Sequence, residues 1–395
     1  LENSAQQIDF KQFELSASTY AGLEELLADE LRNLGAADVK VRTRLVSFKG
    51  DIGFIYKCNL QLRLALRVYH QIRRFQFKEK KDLYEQVKQL QWEQWLDVSG
   101  SFFIHANSDG MMFNNSMYVS QLVKDAIADR FREKFNKRPD LKKEHADVTI
   151  NVHVHRDNCT INLDTSGESL HKRGYRVEQV EAPMSEVLAA AMVQMSGWTH
   201  HFPLYDYMCG SATISIEAAL IALRIPPGFF RKRFAFKGWK NYDAALFAKI
   251  AESVSGRIQD VPLKIHAADI SRRNLAIAKE NIKEAGLEDF INLEHKDFFE
   301  QKHDGSKAFL LLNPPYDERL PVNDVIGFYK SIGDCMKKNY SGCEAYIITG
   351  NLDAAKHVGL RPHMRRDLFN GPIPSKLIGF RLYQGSKKNP DSMNG

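Results

Sequence analysis

Phe309-Leu-Leu-Leu-Asn-Pro-Pro-Tyr316 runs four apolar residues straight into two prolines. An unbroken apolar run of this length suits a strand buried on both faces, and prolines, which lack an N–H and fix φ, end it abruptly. The same texture repeats on either side. Pro203 to Asp206 and Leu263 to Ala268 read as strands, and Thr213 to Leu223 and Ser271 to Ala285 as helices, the second capped by Ser271 and stopped by Gly286. Ile326 to Lys338 (helix) and Ala345 to Thr349 (strand) continue the series. Strands alternating with helices predict a doubly wound α/β sheet. Met364 to Phe369 and Leu377 to Tyr383, joined by Asn370-Gly-Pro-Ile-Pro, read as a closing antiparallel hairpin.

The first ~165 residues differ, mixing strands and helices in the manner of small α+β modules. Leu23, Leu26, Leu27, Leu31 and Leu34 share one helical face, with Ser18 or Thr19 as cap and Gly35 as stop. Val39 to Ile55 alternates like strands, and Leu60 to Val68 alternates too, although its Leu and Arg favour helix. Tyr118 to Phe135 reads as a helix, Val148 to His155 and Cys159 to Asp164 as strands, and Ser166 to Arg176 as a polar, basic linker.

At 395 residues, 44% hydrophobic and 26% charged, the chain has material for two or three globular domains. It shows no apolar run near the ~20 residues of a membrane helix, and Leu1 to Phe10 has no signal-like apolar core, so cytoplasm is the expected location. Cys58, Cys159, Cys209, Cys335 and Cys343 form no C-x-x-C pair, which predicts free thiols rather than disulfides or a zinc site. His153, His155 and Cys159 read as structural, and no metal is expected. The formal charge of +6 is modest, but Arg224 to Lys240 carries six basic residues and no acidic one, interleaved with Phe229, Phe230, Phe234, Phe236 and Trp239. Cations beside stacking rings suit a nucleic-acid surface; equally, the rings can enter a core and leave the cations solvated.

In an open parallel sheet a ligand sits beyond the carboxyl ends of the strands. Asp206 closes one strand and leads into Met208-Cys-Gly-Ser-Ala-Thr213, whose small residues let backbone approach a ligand at a helix N-terminus. Asp269 closes the next and suits the two hydroxyls of a ribose, and Asp297 follows a third, where it suits the amino group of an adenine. By average residue usage Asn313-Pro-Pro-Tyr316 arises by chance in roughly one chain per thousand of this size. A purine's exocyclic amine is a poor nucleophile because its lone pair is delocalised into the ring. Accepting its two N–H bonds at the Asn313 oxygen and the Pro314 carbonyl aims that lone pair at an electrophilic methyl, with Pro315 stiffening the turn and Tyr316 stacking on the base. Cys209 lies in the ligand loop, but methylating an amine needs no covalent intermediate, so no nucleophilic role is assigned to it.

Asn313 to Tyr316 resembles the motif of class I amino-methyltransferases, and Asp206 to Thr213 is similar to their cofactor loop. Ser166 to Arg176, Glu181-Ala-Pro183, Pro227 to Trp239 and Phe369-Asn-Gly-Pro-Ile373 together resemble the bacterial 23S rRNA guanine-N2 methyltransferases. The resemblance implies a ferredoxin-like α+β module (1–60), a THUMP RNA-binding domain (61–165), a basic linker (166–185), a Rossmann-like methyltransferase domain (186–384) and a flexible tail (385–395). It implies S-adenosylmethionine as cofactor, held by Asp206, Cys209, Gly210, Ser211, Ala212, Thr213, Asp269, Asp297 and Asn313. It further implies structured RNA as partner, 23S rRNA or a pre-ribosomal particle, met by Lys172, Arg173, Arg176, Arg231, Lys232 and Arg233. Two positions depart from the pattern, Tyr207 for the usual proline and Ala212 for a glycine. Competing readings are an adenine-N6 methyltransferase of DNA or RNA and a non-catalytic RNA-binding assembly factor.

Overall fold

A computed structural model describes residues 12–109, 115–177, 184–315, 322–371 and 373–383. The Glu181-Ala-Pro183 stretch, Tyr316 and the expected tail from 385 lie outside the described residues. The chain divides into two units, the first comprising residues 1–19, 24–173 and 226–257, the second residues 20–23, 174–225 and 258–395.

The first unit begins β1 (Phe13–Ser18), α1 (Glu24–Leu34), β2 (Ala37–Arg42), β3 (Leu45–Gly50), α2 (Ile52–Gln61) and β4 (Arg67–Gln76). It continues α3 (Lys80–Lys88), β5 (Ser101–Asp109), α4 (Ser116–Phe135), β6 (Asp140–Leu141), β7 (Val148–His155) and β8 (Asn158–Asp164). One eight-stranded sheet, ordered β2-β3-β1-β4-β8-β7-β5-β6, joins them. Helix α1 buries Leu27, Ala28 and Leu31 and ends before Gly35 at φ +96. Its start is later than a Ser18 or Thr19 cap allows, because Ser18 closes β1 and the Thr19 hydroxyl donates to the Leu64 carbonyl (2.6 Å). The strand reading of Val39 to Ile55 overran: Asp51 accepts the Phe54 N–H (2.7 Å) and starts α2. The ambiguous Leu60 to Val68 segment splits into the end of α2, a connector burying Leu62 and Leu64, and the start of β4.

The polar stretch after β8 is a fixed strap as far as Arg173. Asp164 accepts the N–H groups of Ser166 (2.9 Å) and Gly167 (3.0 Å) and pairs with Arg67. Thr165 and Ser166 are fully buried and bonded to Asn59. On β7, His153 and His155 share the exposed face, their rings parallel at 6.5 Å, whereas Cys159 sits opposite Val154 and is buried. Alternation across the pleat thus separates the thiol from the two imidazoles.

The second unit opens with α5 (Glu186–Ser196), β9 (Leu204–Asp206) and α6 (Thr213–Ala222). Residues 226–257 then return to the first unit with α7 (Ala244–Ser255). There Gly228 donates to the Leu60 carbonyl (2.9 Å), and a Cβ at Gly228 would lie 2.8 Å from Leu60 Cα, so only glycine fits. Phe234, Phe236 and Trp239 are buried, Phe236 lying 4.6 Å from the Tyr56 ring and 5.6 Å from Phe247. Most of the aromatic insertion is therefore core; Phe229 remains exposed.

The second unit resumes with β10 (Ile265–Asp269), α8 (Arg272–Glu284), β11 (Ile291–His295), β12 (Ala308–Leu312), α9 (Val322–Asn339), β13 (Cys343–Thr349), β14 (Met364–Asn370) and β15 (Ile373–Arg381). Its seven-stranded sheet runs β11-β10-β9-β12-β13-β15-β14, parallel through β13 and closed by the antiparallel pair. All five residues of β12 are buried, and Leu310 and Leu312 pack with Tyr329, Ile332 and Met336 of α9. The hairpin is tighter than the sequence reading, with Ile373 paired directly to Asn370. Pro374 is tolerated because it lies beyond the register β15 shares with β13, where its missing N–H orphans nothing.

Candidate functional site

Strand order reverses between β9 and β12, so the loops leaving their carboxyl ends part and open a crevice. A cavity of about 390 Å³ lies there, lined among others by Cys209, Gly210, Ser211, Thr213, Asp269, Asp297, Asn313 and Pro315. Residues from three separate strand ends and the β9–α6 loop thus meet in one place. Pro314 is buried and is not on the cavity wall.

The β9–α6 loop is held by the neighbouring strand. Cys209 N–H donates to the Ala268 carbonyl (3.0 Å), and Gly210 N–H to Asp269 Oδ2 (2.9 Å). The other Asp269 oxygen accepts Ser271 N–H (2.8 Å) and Asn274 Nδ2 (3.3 Å), tying the entry of α8 to the same carboxylate. Oδ1 thus has both lone pairs engaged, whereas Oδ2 keeps one for a hydroxyl in the cavity. Asp297 lines the wall while its Oδ1 accepts the Phe299 N–H (2.9 Å), and it brings Phe298 and Phe299 to the cavity. Among the described residues nothing hydrogen-bonds the Asn313 carboxamide, which leaves it free to accept from a ligand.

Asp206 is corrected from cofactor ligand to buried support. Its carboxylate lies beneath the loop, off the cavity wall, with Oδ2 accepting the N–H (3.3 Å) and hydroxyl (2.8 Å) of Ser215 and Oδ1 without a partner among the described residues. Burial raises its carboxyl to about 7, against the Ser215 bonds, with Asp269 adding repulsion. The folded protein therefore holds a proton here that the unfolded chain, near 3.8, gives up, so this group's stability is full below about pH 4 and fades as pH rises towards 7. Asp206→Asn is expected to remove that share of the fall in melting temperature between pH 5 and 8. Parallel pH slopes in parent and variant would contradict it. Cys209 is a buried thiol that burial pushes well above its usual range, in keeping with the absence of a nucleophilic role.

Ala212 does not line the cavity but shapes it, standing at φ +61 as N-cap of α6. A left-handed alanine costs about 1 kcal/mol relative to glycine. Tyr207, the other departure, is buried against Tyr205 (5.3 Å) and Tyr340 (6.3 Å) and reaches the cavity wall. Sequence reasoning missed the apolar lining. Ile270, directly after Asp269, is 68% exposed on the cavity wall, and Met184, Ile214 and Phe328 join it. A large apolar residue immediately after a strand-end carboxylate was the available signal.

Three of the six cations read as RNA contacts have internal partners instead. Arg173 is buried and donates to the carbonyls of Leu170 (2.8 Å) and Arg63 (2.6 Å). Arg231 is bonded to the carbonyls of Ser166, Glu168, Ser169 and Lys172; burial lowers it to about 10, so it stays charged. Arg176 is drawn to Glu186 and to the hydroxyls of Ser211 and Thr213. Carbonyls, hydroxyls and the Glu186 carboxylate turn these guanidinium groups inward. Lys172, Lys232 and Arg233 are exposed, Arg233 also donating to the His145 carbonyl (2.9 Å).

The donor set fits S-adenosylmethionine. Carboxylates at Asp269 and Asp297 suit a ribose and an adenine amine, and Met184, Ile214, Ile270 and Phe298 suit the ring faces and the thioether chain. Comparison with known proteins agrees. "SMU.472, a putative methyltransferase complexed with SAH" superposes with a TM-score of 0.85 at 31% identity, over 95% of this chain and all of that one. The ribosomal RNA large subunit methyltransferase K/L of Syntrophotalea carbinolica is 38% identical over 93% of this chain and 53% of its own. "Putative RNA methyltransferase slr0064" of Synechocystis sp. is 33% identical over 93% of this chain and 96% of its own. The chain thus spans about half the length of the K/L relative. S-adenosylmethionine is the methyl donor. Residues 14–69 match the RlmL ferredoxin-like domain and 77–164 the THUMP domain. With residues 173–378, which contain every lining residue of the cavity, matching the RMKL-like methyltransferase domain, the chain belongs to that methyltransferase family.

Proposed function

We propose that this protein methylates the exocyclic N2 amine of a guanine in structured RNA, with 23S rRNA or a pre-ribosomal particle in the cytoplasm as substrate. The observation that carries the reading is the Asn313 carboxamide, without a hydrogen-bond partner among the described residues and set with Pro315 on the cavity wall at the end of β12. When bound, S-adenosylmethionine supplies an electrophilic methyl group. Asn313 Oδ1, on the cavity wall, would accept an amine hydrogen and so turn the nitrogen lone pair out of conjugation and towards the methyl. The N–C bond would form as the donor's S–C bond breaks and the neutral thioether leaves, with Asn313 Oδ1 stabilising the charge on the amine until one proton passes to water. Phe298, Phe299 and Phe328 keep water from the apolar side of the cavity. The K/L relative's name and the THUMP match support an RNA substrate.

The test is incubation with radiolabelled S-adenosylmethionine and naked 23S rRNA, 50S particles, tRNA or duplex DNA, followed by nucleoside identification. N2-methylguanosine from a ribosomal substrate is expected. N6-methyladenine would replace the reading with its nearest chemical alternative, and no transfer to any substrate despite cofactor binding would favour an assembly factor.

The exposed cations make a separate prediction. Reversing Lys172, Lys232 and Arg233 to Glu is expected to weaken RNA binding and to flatten its salt dependence by about one unit of slope per lost phosphate contact, with cofactor affinity unchanged. Equal slopes for parent and variant would place these side chains away from RNA.

A further inference from the structure

The Ser211-Ala212-Thr213 turn has a backbone its own sequence disfavours, since Ala212 is left-handed and no side chain caps α6 from within the loop. Arg176 holds the turn from outside. Its Nη1 donates to Ser211 Oγ (3.3 Å) and its Nη2 to Thr213 Oγ1 (3.0 Å), the hydroxyls immediately before and after Ala212. These hydroxyls lie 3.2 Å apart, so one guanidinium spans the turn. Nη2 also donates to the Met184 carbonyl (3.0 Å) and Nε to Glu186 Oε1 (2.9 Å), with the two side chains only 9% and 4% exposed. Asn281, buried in α8, grips the same place: its Nδ2 donates to the Ser211 carbonyl (3.3 Å) and its Oδ1 accepts the Val177 N–H (2.9 Å). Met184, Ser211 and Thr213 all line the cavity, whereas Arg176 does not.

We propose that Arg176 is a positioning residue for methyl transfer, fixing the Ser211-Ala212-Thr213 turn in the left-handed form that shapes the donor's cavity. The proposal rests on the reading of that cavity as the S-adenosylmethionine site. The guanidinium is a charged donor to two hydroxyls in a place closed to water, so its bonds are strong and specific in direction.

Arg176→Ala is expected to weaken S-adenosylmethionine binding, measured by calorimetry, by about ten- to a hundredfold. KM for the donor should rise by a similar factor while kcat at saturating donor stays within about threefold, because Arg176 touches neither reacting atom. Adding Ala212→Gly to Arg176→Ala should recover most of the affinity, since glycine takes the left-handed form unaided. A merely structural contribution would show no such recovery. If Arg176→Ala does not fold, Arg176→Lys keeps a cation beside Glu186 but cannot span both hydroxyls, and should fold and bind the donor more weakly than the parent. Parent-like donor affinity in a folded Arg176 variant, or a loss that Ala212→Gly leaves untouched, overturns the proposal. A parent protein that binds no S-adenosylmethionine removes the cavity reading itself, an outcome seen before any substitution is made.

Discussion

Replacing Asn313 by alanine is expected to lower turnover by about 10²–10³, the usual effect of removing one preorganised transition-state acceptor, with further loss from misplacing the amine. Donor affinity and most RNA affinity should persist, because Asn313 makes no bond within the described fold and phosphate contacts elsewhere dominate RNA binding. Asn313→Asp sharpens the test. It keeps an acceptor of similar shape and adds a negative charge facing the donor, so it should retain partial activity where Asn313→Ala has almost none. Single-turnover methylation of the identified RNA reads both. Near-normal rates for Asn313→Ala would make Asn313-Pro-Pro a structural turn and move the acceptor elsewhere.

The second large effect is expected at Asp269. Its carboxylate accepts Gly210 N–H, Ser271 N–H and Asn274 Nδ2 while facing the cavity. Asp269→Ala therefore removes the carboxylate proposed to meet the ribose and orphans the loop N–H that aligns Gly210. The loss in donor affinity should exceed the ~1–2 kcal/mol of one ordinary hydrogen bond, since the acceptor is charged and multiply used. Asp269→Asn, which keeps one acceptor oxygen, should fall between parent and alanine. Calorimetry with S-adenosylmethionine decides it, and unchanged affinity for Asp269→Ala would remove the ribose assignment.

What the sequence revealed, and what it hid, follows from how each residue is used. The place of Asp269, Asp297 and Asn313 on the cavity wall was legible because a polar residue at or just past the carboxyl end of a parallel strand faces the crevice. Asp206 satisfies the same rule and still misses the cavity. Its strand is short and sits centrally between β10 and β12, so its end lies under the loop rather than beside it. Sequence shows where a strand stops, not how deep. Arg173, Arg176 and Arg231 were misread because a basic stretch shows its charges but not their acceptors, here backbone carbonyls and buried hydroxyls. Helix α5 went unread for another reason: from Val187 to Val193 every residue is buried, so no apolar stripe stands out against a polar face. Ala212 showed in the sequence only as a departure from a glycine, and its left-handed form stayed hidden because alanine itself carries no signal for φ > 0.

Residues 226–257 belong to the first unit although 174–225 before them and 258–395 after them belong to the second. Synthesis runs from the N-terminus at roughly 5–20 residues per second. The first unit thus cannot finish its aromatic core around Tyr56 when β8 leaves the ribosome; Phe236, Tyr242 and Phe247 arrive only after α5, β9 and α6 have been made. Nor can either unit be produced by one cut of the gene. Truncation anywhere between β8 and α5 strands α7 and its rings without α2, leaving apolar surface that drives aggregation. A workable separate first unit would need residues 226–257 spliced directly behind the strap that ends at Arg173, and a workable second unit would need the same residues replaced by a short polar bridge between Ile225 and Ile258.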